Sequence, residues 1–331
     1  MTGDNFGAFF NLIQAKDRYV IGCHIHPDGD SIGSMVALGL SLSLAGKQVE
    51  MVCLEDVPSV FGFLEGQELI RKQVSTVAAE VLISVDCAEK DRLALPPLIW
   101  DTPGIISVNI DHHITNLGFA DYNYIDANAS ATGELIYRLL KVGNLPVNQA
   151  VATALYMAIA TDTGFFRFAN TSSLAFELAA GLVREYRIEP AKVAEQVHEQ
   201  KSYNSVRLLG EVLNTLQLGN RGKVAWMILN QKMLTKYPVE NEETESFVSY
   251  ARSIDGVEIG ILFKELKPGE IKLSWRSTSA VDVSKLAGYF GGGGHARAAG
   301  CNINGSMEEV VAQVLEFVSK FYAMEAPVSV Q

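Results

Sequence analysis

Short apolar runs separated by turn residues set the rhythm of the first half of the chain. YVIGCH, from Tyr19, leads into the turn PDGD, then a Gly/Ala/Leu-rich segment from Ser31 to Ala45, then VEMVCL ending at Leu54. That order of apolar run, turn, helical stretch and apolar run predicts a βαβ unit. Two further runs, VLISVD (81–86) and IISVNID (105–111), lack period-2 alternation, as expected of strands covered on both faces of a parallel sheet. Helical patterns over 131–142, 148–160 and 172–185 supply the covering layers.

Residues 190–217, including AKVAEQVHEQ and SVRLLGEVLNTL, read as more helix without a Pro/Gly/Ser-rich break, so the connection is expected to be helical. Beyond Leu218 the pattern changes. KVAWMILN, VEIGILFKEL and EIKLSWRST alternate apolar and polar positions, with a helix near 242–253 between them, which predicts a smaller α+β domain. The expected fold class is α/β: an N-terminal parallel-sheet domain joined by a helical linker to a smaller α+β C-terminal domain. A length of 331 residues suits two domains. There is no internal repeat visible, and the tail after Met324 reads as a frayed end.

Composition narrows the class. With 48% hydrophobic and 20% charged residues the chain matches a globular protein rather than a disordered one. Its longest apolar stretch, Ala150–Ala160, falls short of the ~18–20 residues needed to span a bilayer, and the N-terminus lacks a basic segment followed by an apolar one. A soluble, cytoplasmic protein without a membrane partner is expected. Four scattered cysteines without Cys-x-x-Cys spacing read as buried thiols. The formal charge is −11, and residues 1–210 hold 15 basic against 24 acidic side chains. Such a surface repels a long phosphate backbone, so no long duplex nucleic acid is expected; bound cations could reverse that locally.

The acids are not scattered at random. His24-Ile25-His26-Pro27-Asp28-Gly29-Asp30-Ser31 sits where the first strand ends and a helix begins. A structural reading stands beside a functional one, since Pro-Asp-Gly is turn chemistry and Asp30 could cap the helix starting near Ser31. However, Asp86 ends VLISVD, Asp111-His112-His113 ends IISVNI, and Asp162 follows the apolar helix ending at Thr161. Acids at successive strand ends converge on one sheet edge. Crowded carboxylates raise one another's pKa unless multivalent cations bind among them. Imidazole mixed with carboxylate, without a cysteine cluster, suits Mn²⁺ and related ions. Two ions match the ligand count better than one, which makes metal-assisted phosphoester hydrolysis the natural reaction class.

In the second half, Arg276 falls on the strand face opposite Ile271, Leu273 and Trp275 and points toward solvent or ligand. A guanidinium there suits phosphate recognition; an ordinary exposed arginine is the structural alternative. The run Gly291–Gly294 followed by His295 and Arg297 lets backbone approach a ligand and offers N–H groups to an anion, although a glycine run alone is more often a flexible turn. Cys23 and Cys87 are expected in the core, and His198 in solvent. Arg167 and Phe168 follow Asp162 closely enough to touch a nucleotide, and Ser130-Ala-Thr132-Gly-Glu134 reads as a helix start with capping residues; none of these enters the catalytic set.

HIHPDGDSIGS, Asp86 in SVDCAEKDRL, the DHH triplet at 111–113 and Asp162 in TDTGFFRF resemble the four motifs of the DHH phosphoesterases. Arg276–Ser277 and GGGGHARAAG at 291–300 resemble the substrate-binding motif of the DHH-associated C-terminal domain, so the resemblance spans nearly the whole chain. It implies a catalytic domain over 1–188, a helical linker over 189–217 and a substrate-binding domain over 218–325, with the active site in the cleft between domains. It implies that His24, Asp28 and Asp86 hold one divalent ion and Asp30, Asp86, His112 and Asp162 the other, most simply Mn²⁺, with Asp86 bridging. Asp111 would orient the DHH histidines and His113 would contact the scissile phosphate. His26 occupies a position that varies in the family and stays outside the site. Arg276, Ser277, Gly292, Gly293, Gly294, His295 and Arg297 would bind substrate.

Within the family the chain most resembles the nano-RNase type. That implies hydrolysis of short oligoribonucleotides to mononucleotides, and of 3′-phosphoadenosine 5′-phosphate to AMP, by hydroxide activated between two metals. The expected partners are short RNAs or small phosphorylated nucleotides, and related proteins are frequently homodimers. Two rivals remain: a phosphodiesterase for linear or cyclic dinucleotides such as diadenylate, and a catalytically silent nucleotide-binding regulator.

Overall fold

The computed structural model describes residues 6–75, 79–199, 201–278 and 281–325, so all but the first residue of the tail after Met324 lies outside the described residues. The chain divides into two compact units, Met1–Gln200 and Lys201–Gln331.

The first unit runs α1 (Phe6–Ala15), β1 (Arg18–Gly22), α2 (Gly29–Leu44), β2 (Gln48–Val52), β3 (Val81–Val85), the single turn α3 (Pro97–Trp100), β4 (Ile106–Asp111) and β5 (Tyr122–Ile125). Four helices follow: α4 (Thr132–Val142), α5 (Gln149–Asp162), α6 (Ser173–Tyr186) and α7 (Pro190–Ala194), the last continuing into a π-helical turn, Glu195–Glu199. The five strands form one parallel sheet in the order β2-β1-β3-β4-β5. All five residues of β3 are buried, which explains why the central strands lack alternation. The helix α5 is apolar nearly all round and buried from Ala150 to Ala152 and from Ala154 to Ala160, the signature of a helix at the centre of a unit. The edge strand β5 escapes a search for apolar runs because Tyr122 and Asn123 are exposed.

This strand order has its topological switch between β1 and β3, where the connections leave in opposite directions. Open α/β sheets bind ligands outside the carboxyl ends of the strands at that point. His24 follows β1 and Asp86 follows β3.

The second unit runs α8 (Tyr203–Leu213), β6 (Gln217–Gly219), β7 (Val224–Leu229), α9 (Gln231–Lys236), α10 (Val248–Arg252), β8 (Ile259–Lys267), β9 (Glu270–Ser277), α11 (Val283–Tyr289), β10 (Gly293–His295), β11 (Ala298–Asn304) and α12 (Met307–Glu325). Its sheet order is β10-β11-β9-β8-β7-β6, antiparallel except for the β7/β8 pair. Val310, Val314 and Val318, four residues apart on α12, pack on one face; Leu208 and Val212 of α8 join a second cluster with α10. The segment expected to form one helix near 242–253 is instead a 3-10 turn, Glu242–Thr244, followed by the short α10. The division between units falls inside the span 189–217, with Val193 packed in the first core and Leu208 in the second unit.

Candidate active site

The turn after β1 builds the first part of the site. Asp28 caps α2: its Oδ1 accepts from the Ser31 N–H at 3.0 Å while the Ser31 hydroxyl oxygen accepts from the Asp28 N–H at 2.9 Å. The helix therefore begins at Gly29, and Asp28 rather than Asp30 does the capping. Asp30 is buried and turned the other way. Its two oxygens accept from the backbone N–H groups of Thr132 (2.6 Å) and Gly133 (2.9 Å), and Oδ1 also from the Ser34 hydroxyl at 3.0 Å. The carboxylate thus satisfies the open N-terminus of α4, whose cap residue Ala131 has no side-chain oxygen to offer.

Asp86 stands in the left-handed region at φ 56, a conformation costing a non-glycine residue about 1–3 kcal/mol and concentrated at functional sites. It places the carboxylate under the switch point. Its Oδ1 accepts from the Thr132 hydroxyl at 2.9 Å, whereas its buried Oδ2 has no hydrogen-bond donor. His24 Nε2 lies 3.5 Å from Asp86 Oδ2 and 3.8 Å from Asp28 Oδ1. On the other side His112 Nε2 lies 3.8 Å from Asp30 Oδ2, 3.7 Å from Asp86 Oδ1 and 3.6 Å from Asp162 Oδ2. His113 Nδ1 is 2.7 Å from Asp111 Oδ1 and 3.7 Å from Asp86 Oδ1.

The fold therefore brings His24, Asp28, Asp30, Asp86, His112 and Asp162 together from four separate chain segments. Among the described residues three sets have ligand atoms within 4.8 Å of one another: His24/Asp28/Asp86, Asp30/His112/Asp162 and Asp86/His112/His113. Asp86 and His112 each belong to two of them. His113 also enters, though its Nδ1 is engaged by Asp111.

The electrostatics match a cation site. Burial, reinforced by Asp86, Asp162 and Asp28, pushes the Asp30 carboxyl well above the usual range. Burial likewise pushes Asp162 up to about 6, with Asp86 and Asp28 adding to it and His112 opposing. Burial opposes protonation of His24, yet the carboxylates of Asp28 and Asp86 push it up to about 11. Such crowding of acids is relieved by positive charge. A donor set of carboxylate and imidazole, with an orphaned carboxylate oxygen in its middle, fits a divalent cation of the harder or borderline kind. The four thiols, Cys23, Cys53, Cys87 and Cys301, are buried and reduced and enter none of the sets.

Several supporting residues are invisible to motif reading. Thr132 touches both Asp30 and Asp86, although its segment reads as an ordinary helix start. The Asn116 amide donates to Asp111 Oδ2 at 2.6 Å and reaches Asn109 Oδ1 at 2.7 Å, holding Asp111 against His113. The Asn170 amide donates to Asp162 Oδ2 at 3.1 Å. Asn116 and Asn170 lie five and eight residues from the acids they hold, whereas Thr132 is 102 residues from Asp30 and 46 from Asp86.

The glycine-rich segment of the second unit packs closely on its neighbouring strand. A Cβ on Gly292 would lie 2.1 Å from the Gly300 carbonyl oxygen, and its N–H donates to the Ala287 carbonyl. Gly294 has φ 136, and a Cβ there would lie 2.6 Å from the Ala298 oxygen. Both glycines admit the close approach of β10 to β11, and a Cβ on Gly293 would meet nothing within 4 Å. Ser277 is buried, and its hydroxyl donates to the Val281 carbonyl at 2.6 Å, so it secures a turn rather than facing outward. Arg276 is partly buried, with Nη1 on the Trp275 carbonyl, and burial lowers its pKa. Arg297 is exposed, with Nη1 on the Thr278 and Val281 carbonyls. The side chains of His295 and His198 lie outside the described residues.

Residues 18–159 match the DHH family N-terminal domain and residues 225–324 the DHHA1 domain. The bifunctional oligoribonuclease and PAP phosphatase NrnA of Thermus thermophilus is 31% identical over 90% of this chain and 88% of its own length; that of Bacillus subtilis is 26% identical over 88% and 91%. Among solved structures, an exopolyphosphatase-related protein from Bacteroides fragilis superposes with a TM-score of 0.88 at 25% identity, covering 96% of both chains. With its motif residues converging on one sheet edge and both domains matched in order, the chain belongs to the DHH family, a DHH domain followed by a DHHA1 domain.

Proposed function

We propose that this chain hydrolyses the phosphoester bonds of short oligoribonucleotides, releasing mononucleotides, and removes the 3′-phosphate of 3′-phosphoadenosine 5′-phosphate. The observation that carries this is the convergence of four aspartates and two histidines on the β1/β3 switch point, with Asp86 common to two ligand sets. The names of the relatives give the substrate class. His24, Asp28 and Asp86 would hold one divalent ion, and Asp30, Asp86, His112 and Asp162 a second; Mn²⁺ is the ion we favour. When bound, such a pair polarises a phosphoryl oxygen and acidifies a water so that it can attack phosphorus near neutral pH.

The rest is done by the chain's own residues. Thr132 fixes the Oδ1 edge of Asp86, and the N-terminus of α4 fixes Asp30; such outer contacts hold ligands in their productive orientation. Asp111, itself held by Asn116, orients the His113 ring that would meet the scissile phosphate. From the second unit, Arg276, His295, Arg297 and the open backbone at Gly293 are the proposed phosphate contacts, with Ser277, Gly292 and Gly294 shaping the segment that carries them. A short substrate suits the 24 acids against 15 bases of residues 1–210, which offer no long basic track.

The test is mononucleotide release in Mn²⁺ from 5′-labelled RNAs, from dinucleotide to long oligomer. Rates that peak at the shortest lengths are expected. No release at any length would overturn the reading and bring cyclic dinucleotides and a silent regulator forward.

A further inference from the structure

The segment after Asp162 carries three phenylalanines with different fates. Phe165 and Phe166 are partly buried and packed against the core of the first unit; the Phe166 ring stacks on Phe176 at 5.1 Å and 25°. Phe168 is 56% exposed. An exposed ring six residues beyond the motif acid Asp162 offers a flat face on which another ring can stack.

The loop that carries it is built rather than slack. Gly164, Phe165 and Phe166 are successively left-handed, at φ 57, 55 and 63, which bulky residues adopt only where the surroundings impose it. Arg167 Nε donates to the Gly164 carbonyl, the Phe168 N–H to the Thr163 carbonyl, and the Asn170 amide returns to the Asp162 carboxylate. The segment thus leaves Asp162 and is tied back to it within eight residues. The Phe168 ring lies where a side chain at position 164 would be: a Cβ on Gly164 would meet three of its ring carbons at 2.5 to 2.6 Å. Glycine at 164 therefore gives the ring a fixed seat on the backbone one residue beyond Thr163.

We propose that Phe168 is a specificity-determining residue: a platform on which a nucleobase of the substrate stacks when its phosphate lies at the acidic cluster. Base stacking on aromatic side chains is the usual means of holding single-stranded RNA, and it tolerates any sequence because every base has a π-face. The platform would favour nucleotide phosphoesters over other phosphoesters without a basic groove. This inference rests on the function proposed above.

The test compares kcat/KM, in Mn²⁺, for a ribodinucleotide and for its analogue lacking both bases, in the wild type, Phe168→Ala and Phe168→Trp. The expected result is that the wild-type preference for the dinucleotide drops about tenfold or more in Phe168→Ala and is kept in Phe168→Trp. An unchanged preference in Phe168→Ala, including equal losses on both substrates, would overturn the platform while leaving the phosphoesterase reading standing. A wild type that hydrolyses no dinucleotide would overturn the phosphoesterase reading and the platform with it.

Discussion

The acidic cluster and the glycine-rich hairpin are the two motif-dense regions of this chain, and they use their residues in opposite ways. In the cluster, side chains from distant segments are aimed at one another at the expense of stability: Asp86 is left-handed, its Oδ2 is unpartnered, and Asp30 is pushed far from its ordinary titration range. In the hairpin the motif residues satisfy their own backbone: Gly292 and Gly294 admit β11, and Ser277 ties a turn. A motif can therefore mark chemistry directly, or mark the fold that carries it.

The largest effect that sharpens this contrast is expected at Asp86. Asp86→Ala should lower kcat/KM for a ribodinucleotide by about 1,000-fold or more, since it removes the carboxylate common to two ligand sets. Its melting temperature should fall only modestly, because the Thr132 hydroxyl loses its acceptor while one buried, unpartnered carboxylate oxygen is removed from among other acids. Comparable activity with a collapsed melting temperature would invert the contrast and make Asp86 structural.

Thr132→Val comes next. It keeps the backbone N–H that holds Asp30 and removes the hydroxyl that holds Asp86, so a loss of about 10–100-fold in activity or metal affinity is expected. Thr132→Ser should restore it. Arg276→Ala should raise KM for short substrates about tenfold while metal stoichiometry, measured by titration calorimetry, stays as in the wild type.

The smallest catalytic effect is expected at Gly292. Gly292→Ala places a Cβ against the Gly300 carbonyl and should cost about 1–3 kcal/mol of stability, read as a lowered melting temperature, with metal binding to the first unit intact. A Gly292→Ala protein with normal stability and weakened substrate binding would show that this glycine faces the ligand after all.

Much of the cluster was legible because parallel-sheet topology turns sequence order into position. Residues at the ends of VLISVD and IISVNI share an edge wherever those strands lie side by side, so acids there can be grouped from the sequence alone. What could not be read was contact between segments without a shared periodicity. Asp30 caps a helix about a hundred residues away, and Thr132 looks like a local cap until that partner is seen. The glycine run is ambiguous for a related reason: a glycine needed by a neighbouring strand and one needed by a ligand are the same letter. Likewise β5 went unseen because an edge strand does not need a continuous apolar run.

The measurement that bears most directly on the account is metal removal and return. The purified chain is stripped with a chelator, assayed on a ribodinucleotide, and titrated with Mn²⁺ by calorimetry before a second assay. No turnover is expected after stripping, with about two ions bound per chain on titration and activity restored as they bind. Full turnover by the stripped protein, or activity restored with no ion bound at the cluster, would show that the acidic cluster is not a metal-dependent active site.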